Sequence, residues 1–475
     1  MSALLILAGL VACSSLRKPD VVFLTIDTLR FDHVDALTPL SPVKTPAMDA
    51  LVADGVAYTQ AWSPISVTGP AFTSLMTGQE PGTTGVVMNQ FNGSAGLPPQ
   101  AQTLAEALSA HGFSTAAFVS GFTLRHSLGL DQGFDRYDTP VVGERRRPGL
   151  DTARQAVAWL RQRHGYQRLF LWVHSYDAHG PLIPYEYAAP VGPGWARDSE
   201  QLTHVPAYQR IDGISDPDFY RMRYAAAVGH ADAMVGQVVG ALKESGRYDN
   251  ALIVLLADHG ETMTERPLWF DHGTAASAEQ LHVPLVIKYP HQAGAGTKDE
   301  RMVSLVDVAP TVLSTLGLDP LPAAEGQPLS VAVHDYLVGE SSHCKHDLVL
   351  PCAPLGPAGK ELALRTPRTT LLRSSRADGV LWVHFDRSQD PDELRPLRGT
   401  DGVPAHAALL DQIADERAAL PLFMPSGDDE GEAAASTEPG ELENLRALGY
   451  VDPVPSEVEP APATEPANGD GAAGD

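Results

Sequence analysis

Residues 21–27 read Val-Val-Phe-Leu-Thr-Ile-Asp. The first six form an apolar, β-branched run without polar alternation. That pattern belongs to a strand buried on both faces, as in a parallel sheet. Asp27 follows the run directly. In open α/β sheets, ligands gather at the carboxyl ends of the strands. A carboxylate in that place is a candidate ligand-binding group.

Working outward, the same strand-and-helix alternation continues. Residues 45–54 read as a short amphipathic helix, with Pro46 at a tolerated early position. Residues 103–110 read as a helix closed by Gly112, and 115–119 as the next strand. Strands are expected at 169–173, 251–256 and 283–287, and helical periodicity runs over 222–245 before Gly246. The alternation predicts an α/β fold with a large mixed, mostly parallel sheet sandwiched by helices. After about residue 330 the pattern changes. Short runs at 361–364, 369–373 and 380–385, joined by polar turns, predict a smaller C-terminal antiparallel sheet. Residues 424–440 are rich in Gly, Asp, Glu and Ala, and 452–475 lack Lys, Arg and aromatic residues, so a disordered acidic tail is expected.

The 475 residues carry a formal net charge of −25, from 59 acidic against 34 basic side chains. This argues against nonspecific nucleic-acid binding, which needs a basic face. An anionic substrate stays open, because a metal ion can dominate the local field. The first thirteen residues, MSALLILAGLVAC, are too few to span a bilayer, which takes about 20. They read as the hydrophobic part of an export signal, although a positive leading region is missing. Leu10-Val11-Ala12-Cys13 resembles the bacterial lipobox, with Cys13 as the lipidated residue; a plain signal peptide or an apolar first strand is the alternative. Cys344 and Cys352 would close a small disulfide loop in an oxidising envelope, or else are two free thiols.

Other strand ends carry the same chemistry as Asp27. Asp258 and His259 follow the strand at 251–256; Asp177 and His179 follow the strand at 169–173; His272 lies a short loop further on. Carboxylates and imidazoles gathered in this way are natural ligands for a divalent cation. A lone aspartate at a strand end is more often a helix cap, but several such segments weaken that explanation.

Asp27-Thr28-Leu29-Arg30, Thr45-Pro46-Ala47-Met48-Asp49, Ser74-Leu75-Met76-Thr77-Gly78 and Gly129-Leu130-Asp131-Gln132-Gly133-Phe134-Asp135 resemble motifs of bacterial sulfatases, within the alkaline phosphatase-like superfamily. So do Asp258-His259-Gly260-Glu261, Val283-Pro284-Leu285, Val306-Asp307-Val308-Ala309-Pro310-Thr311 and Leu445-Arg446-Ala447-Leu448-Gly449-Tyr450, in the same order. The resemblance implies the architecture already indicated by the element pattern. With the shifts in composition it divides the chain into an export signal and tether (1–19), a catalytic domain (20–330), a small-sheet subdomain (331–423), a linker with a closing helix (424–451) and the tail (452–475). It implies a metal-dependent hydrolase of sulfate or phosphate esters. The export signal and the lipobox reading of Cys13 add the expectation of a bacterial cell-envelope lipoprotein, periplasmic or on the outer membrane, held to the membrane by its lipid anchor.

One departure from the family pattern is informative. Sulfatases carry Cys or Ser, then x-Pro-x-Arg, and oxidise the first residue to formylglycine. Here the stretch is Thr68-Gly69-Pro70-Ala71-Phe72, so Thr68 takes the nucleophile position and Phe72 replaces the arginine. A formylglycine hydrate ejects sulfate by collapsing to an aldehyde. A threonine ester lacks that exit, so water must attack the transferred group itself, which favours phosphate monoesters or diesters over sulfate. By resemblance, Asp27, Asp258, His259 and Thr68 form one metal site, with Thr28 where a second aspartate often stands. Asp177, His179 and His272 are expected to hold a second cation, or to bind substrate and protonate the leaving group. Nitrogen ligands favour zinc or manganese over calcium. Two other classes compete: an envelope transferase moving a phosphoryl-linked head group, and a catalytically inactive lipoprotein that binds anionic ligands.

Overall fold

The run at residues 21–26 forms strand β1 (Val21–Ile26), buried along its whole length. It lies in the middle of an eight-stranded sheet, between β5 (Leu169–Ser175) and β6 (Leu252–Ala257), and pairs in parallel with both. The computed structural model describes residues 19–89, 96–141, 146–182, 191–342, 360–376, 379–399 and 403–419. Cys13, Cys344, Cys352 and the segments at 424–451 and 452–475 lie outside the described residues.

The remaining strands of this sheet are β2 (Val56–Trp62), β3 (Ser114–Val119), β4 (Arg136–Asp138), β7 (Leu285–Lys288) and β8 (Thr297–Ser304), in the order β4-β3-β5-β1-β6-β7-β2-β8. Only β7 runs against its neighbours, so the sheet is mixed but mostly parallel. Its edge strand β8 begins Thr-Lys-Asp-Glu-Arg and exposes most of that half. Charged side chains on an edge discourage pairing with other chains, and they also hide the strand from a search for apolar runs.

Helices cover the sheet in two groups. α1 (Pro46–Asp54) and α4 (Gly149–Arg161) each pack against α5 (Pro217–Glu244); in the second set, α3 (Leu104–Ala110) and α6 (Val308–Thr315) each pack against α2 (Thr68–Thr77). α3 starts where Thr103 accepts from Glu106 N while the Glu106 carboxylate accepts from Thr103 N, a reciprocal cap. α5 starts at Pro217, earlier than the periodicity from residue 222 indicates. The Asp216 side chain accepts from Asp218 N, and Pro217 takes the first helical position, where no N–H is missed. By length and composition α5 could cross a membrane, but most of its large apolar residues are buried in the core, Met222 excepted.

The smaller sheet is antiparallel, ordered β13-β12-β11-β10-β9, with β9 (Leu337–Glu340), β10 (Glu361–Arg365), β11 (Thr369–Arg376), β12 (Gly379–Asp386) and β13 (Leu397–Arg398). Alternation along β10 serves two cores. Leu362 and Leu364 pack with Leu371, Val403 and Leu410 under α7 (Pro404–Ala418), while Ala363 faces Trp62, Leu281 and Met302 of the large sheet's side. A bridge between Ile65 and Glu340 stitches the two sheets next to Thr68.

Candidate active site

Two strand ends and one helix start build the site. β1 delivers Asp27, and β6 delivers Asp258 and His259. The chain leaving β2 turns into α2, whose first residue is Thr68. Sequence reading treats Thr68 as a nucleophile or as a loop residue before a Gly-Pro turn; the structure makes Gly69-Pro70 part of a helical first turn. Proline is tolerated there because its missing N–H has no helical partner to lose. All four side chains are at most 1% exposed.

One oxygen of Asp27, one of Asp258 and Nε2 of His259 lie within 4.8 Å of one another. Thr68 Oγ1 donates to Asp27 Oδ2 at 3.2 Å and lies 3.4 Å from His259 Nε2. His259 Nδ1 donates to the Gly260 carbonyl at 2.9 Å, so Nε2 presents its lone pair to the carboxylates. Asp258 Oδ1 accepts from Thr28 N at 3.2 Å and from His259 N at 2.9 Å. Asp27 Oδ1 and Asp258 Oδ2 are buried without a hydrogen-bond partner. Burial first, and then the neighbouring Asp27 charge, push the Asp258 carboxyl up to about 7; burial pushes Asp27 to about 7 as well. Among the described residues neither carboxylate meets a lysine or arginine within ion-pair distance. Two buried carboxylates with inward-facing oxygens beside an imidazole lone pair fit a divalent cation, which removes the cost of burying unpaired charge. The group can hold a metal ion; its donor set does not include Asp177.

Asp177 instead accepts from Gly149 N at 3.1 Å at the start of α4 and from Ser175 Oγ at 2.8 Å. The helix-cap alternative for strand-end aspartates describes its position. His179 and His272 do reach the site. The rings of His259, His272 and His179 follow one another at 4.7 and 4.6 Å between centroids. His179 stacks on Tyr176 at 4.1 Å and donates from Nδ1 to the Gly180 carbonyl, and burial holds it well below the usual histidine value. His272 Nδ1 lies 3.4 Å from the Glu261 carboxylate.

Three contributors escape sequence reading. His174 is the last residue but one of β5, which runs past the expected end at Val173; its Nε2 lies 3.6 Å from Asp27 Oδ2. Burial lowers its pKa to about 4. Asn89 accepts from Gly69 N at 2.7 Å and keeps a buried Nδ2 without a partner beside the start of α2. Glu261 backs His272. His174 had one legible signal, its position two residues after Trp172 at the end of an apolar strand. Asn89 had none.

The sulfatase family model matches residues 19–318. The ulvan-active sulfatase of Formosa agariphila is 25% identical over 403 residues, 80% of this chain and 77% of that protein. Arylsulfatase K of Bos taurus is 23% identical over 461 residues, 83% of this chain and 80% of that protein. Among solved structures, the phosphonate monoester hydrolase of Agrobacterium radiobacter superposes with a TM-score of 0.66 at 21% identity, covering 85% of this chain and 96% of that one. A 2-O GAG sulfatase superposes with a TM-score of 0.66 at 19% identity, covering 85% and 93%. The two superpositions establish the fold, a large mixed sheet with helices plus a smaller antiparallel sheet. The family match spans more than half of the sequence, and the chain belongs to the sulfatase family.

Proposed function

We propose that this chain is a metal-dependent hydrolase of phosphate or sulfate esters, with phosphate monoesters and diesters favoured and Thr68 as nucleophile. The position of one hydroxyl carries the reading. Thr68 Oγ1 is buried at the first turn of a ten-residue helix, 3.2 Å from Asp27 Oδ2. A helix N-terminus attracts the anionic oxygens of an ester to the same place. Asp27, Asp258 and His259 would hold a divalent cation, zinc or manganese in preference to calcium, supplying neutralisation of the ester oxygens and a lower pKa for a bound hydroxyl. The hydroxyl proton moves to Asp27 Oδ2 as the Thr68 oxygen bonds to phosphorus and the leaving oxygen departs. His272, whose Nδ1 faces the Glu261 carboxylate, protonates that oxygen, with the neutral His179 ring packed beside it. Water then attacks phosphorus and gives its proton to His272, the Thr68 oxygen leaves and takes its proton back from Asp27, and acid and alcohol are the products.

The test is turnover of an aryl phosphate, a phosphodiester, a phosphonate monoester and an aryl sulfate after reconstitution with zinc or manganese. Thr68→Ala is expected to lose at least about a hundredfold in rate while Thr68→Ser keeps part of it, because only the hydroxyl is chemically needed. A slow phosphate ester, quenched early, is expected to leave a phosphoryl group on the Thr68 peptide. Near wild-type turnover by Thr68→Ala would overturn the reading. The same reading places the protein in the cell envelope, anchored through a lipidated Cys13. Stable anchoring takes more than one acyl chain. Cys13→Ser is expected to move the protein from the membrane to the soluble fraction; unchanged fractionation would refute the anchor.

A further inference from the structure

His174 is fully buried, and its ring bonds identify which nitrogen carries the proton. Thr25 and His174 are direct neighbours across β1 and β5. Side chains two apart on a strand share a face, so Thr25 and Asp27 on one strand meet Trp172 and His174 on the other. Trp172 Nε1, which can only donate, gives its hydrogen to Thr25 Oγ1 at 2.9 Å. Thr25 Oγ1 also lies 3.0 Å from His174 Nδ1. If Nδ1 carried the proton, Thr25 would accept twice and its own hydroxyl proton would be buried with nothing to receive it, which folded proteins avoid. The arrangement that satisfies every group runs Trp172 to Thr25 to His174 Nδ1. That leaves the proton on Nε2, which has no other hydrogen-bond partner and lies 3.6 Å from Asp27 Oδ2. Phe72 meets the imidazole edge-on at 5.1 Å and holds the ring in this plane.

We infer that His174 is the positioning residue of Asp27: a neutral Nε2–H donor, its tautomer set by Trp172 and Thr25, that holds Oδ2 and turns Oδ1 toward the bound cation. This rests on the proposed metal site. The distance to Asp27 is just beyond hydrogen-bond length, and a small rotation of the carboxylate would close it. A hydrogen-bonded carboxylate ligand is more strictly oriented, and loss of such outer partners typically weakens metal affinity about 10–100-fold.

Calorimetric titration of zinc into the metal-free full chain tests this. Wild type and Asp258→Asn establish the site itself: one equivalent in the first and none in the second. Against that background, His174→Phe is expected to bind zinc about 10–100-fold more weakly. His174→Gln, whose amide places an N–H near Nε2, is expected to recover most of the affinity, which a merely space-filling role would not produce. Thr25→Val, which deletes the hydroxyl that directs the tautomer, is expected to weaken binding in the same direction. Thermal unfolding of the metal-free variants shows whether each has folded; should His174→Phe fail to fold, the Thr25→Val and His174→Gln pair decides. Wild-type affinity in the folded His174→Phe, or in Thr25→Val if that decides, overturns the inference while the metal site stands. No zinc uptake by wild type overturns the metal site, and this inference with it.

Discussion

Thr28 carries the strain of the site: its φ is 56°, a left-handed conformation that is rare for a β-branched residue. The turn it makes points its N–H at Asp258 and lets Asp27 face the same centre. Strain and buried charge collect where a cation is expected, and they make that place unstable in its absence. Asp258→Asn tests this at a single residue. The amide oxygen keeps both backbone hydrogen bonds that Asp258 Oδ1 accepts, while the charge is lost. We expect bound metal, measured by elemental analysis after dialysis, to fall by one equivalent. The metal-free variant should melt above the metal-free wild type, because one of two facing carboxylates becomes neutral. Equal metal content would reject Asp258 as a ligand, and a lower melting temperature would reject the repulsion.

Elements act on the site through their ends and through side chains that cross between layers. α5 shows the second. Its Tyr224 hydroxyl donates to the Thr28 carbonyl at 2.6 Å and accepts from Arg30 N at 3.0 Å, clamping the turn after β1 from a helix nearly two hundred residues away. Tyr224→Phe leaves two buried backbone groups without a partner. The expected cost is about 1–3 kcal/mol in chemical denaturation, with weaker zinc binding besides. A variant as stable as wild type would show that water or a neighbour replaces the clamp. α2 shows the first way: its start places Thr68, and a Cβ at Gly69 would come within 2.9 Å of Asn89 Oδ1, the acceptor of the Gly69 N–H.

At the scale of the molecule, the two sheets are joined by a buried charged seam. Arg365 of β10 pairs with Glu393 at 2.8 Å, both side chains at most 2% exposed, and its guanidinium lies over Trp62 at 4.3 Å. Burial pushes the Glu393 carboxyl up, but Arg365 and the Thr370 hydrogen bond outweigh it and hold it below the usual glutamate value. A lowered carboxyl contributes stability that is present above the unfolded pKa, about 4.3, and is lost as pH falls through the folded value. Glu393→Gln leaves Arg365 buried and unpaired, so it should cost about 3–5 kcal/mol at pH 7. The difference from wild type should narrow as pH falls below about 4.3, where the unfolded carboxyl takes a proton, and should close once pH passes the lower folded value. Melting temperatures of both proteins at neutral and acid pH check this; a gap of constant size would refute the linkage.

Residues 21–27 and their counterparts at 251–259 determined the centre of the fold and the metal-ligand candidates without further help. A continuously apolar strand is buried on both faces whatever surrounds it, and the polar residue ending it must lie at the sheet's carboxyl edge. Strands such as β8, whose polar half lies on an edge, and β2, with Thr59 and Gln60 in mid-strand, carry no such run. Asp177 shows the limit for the site: it follows a buried strand as Asp27 does, yet it caps α4. A strand end offers a carboxylate to the whole edge of the sheet, and only packing decides whether a helix N-terminus or other acceptors and ligands lie opposite. His174 and Asn89 belong to the same class. Their roles depend on partners about 150 and 20 residues away in sequence. Such contacts follow from strand register and helix placement, which the tertiary structure alone decided.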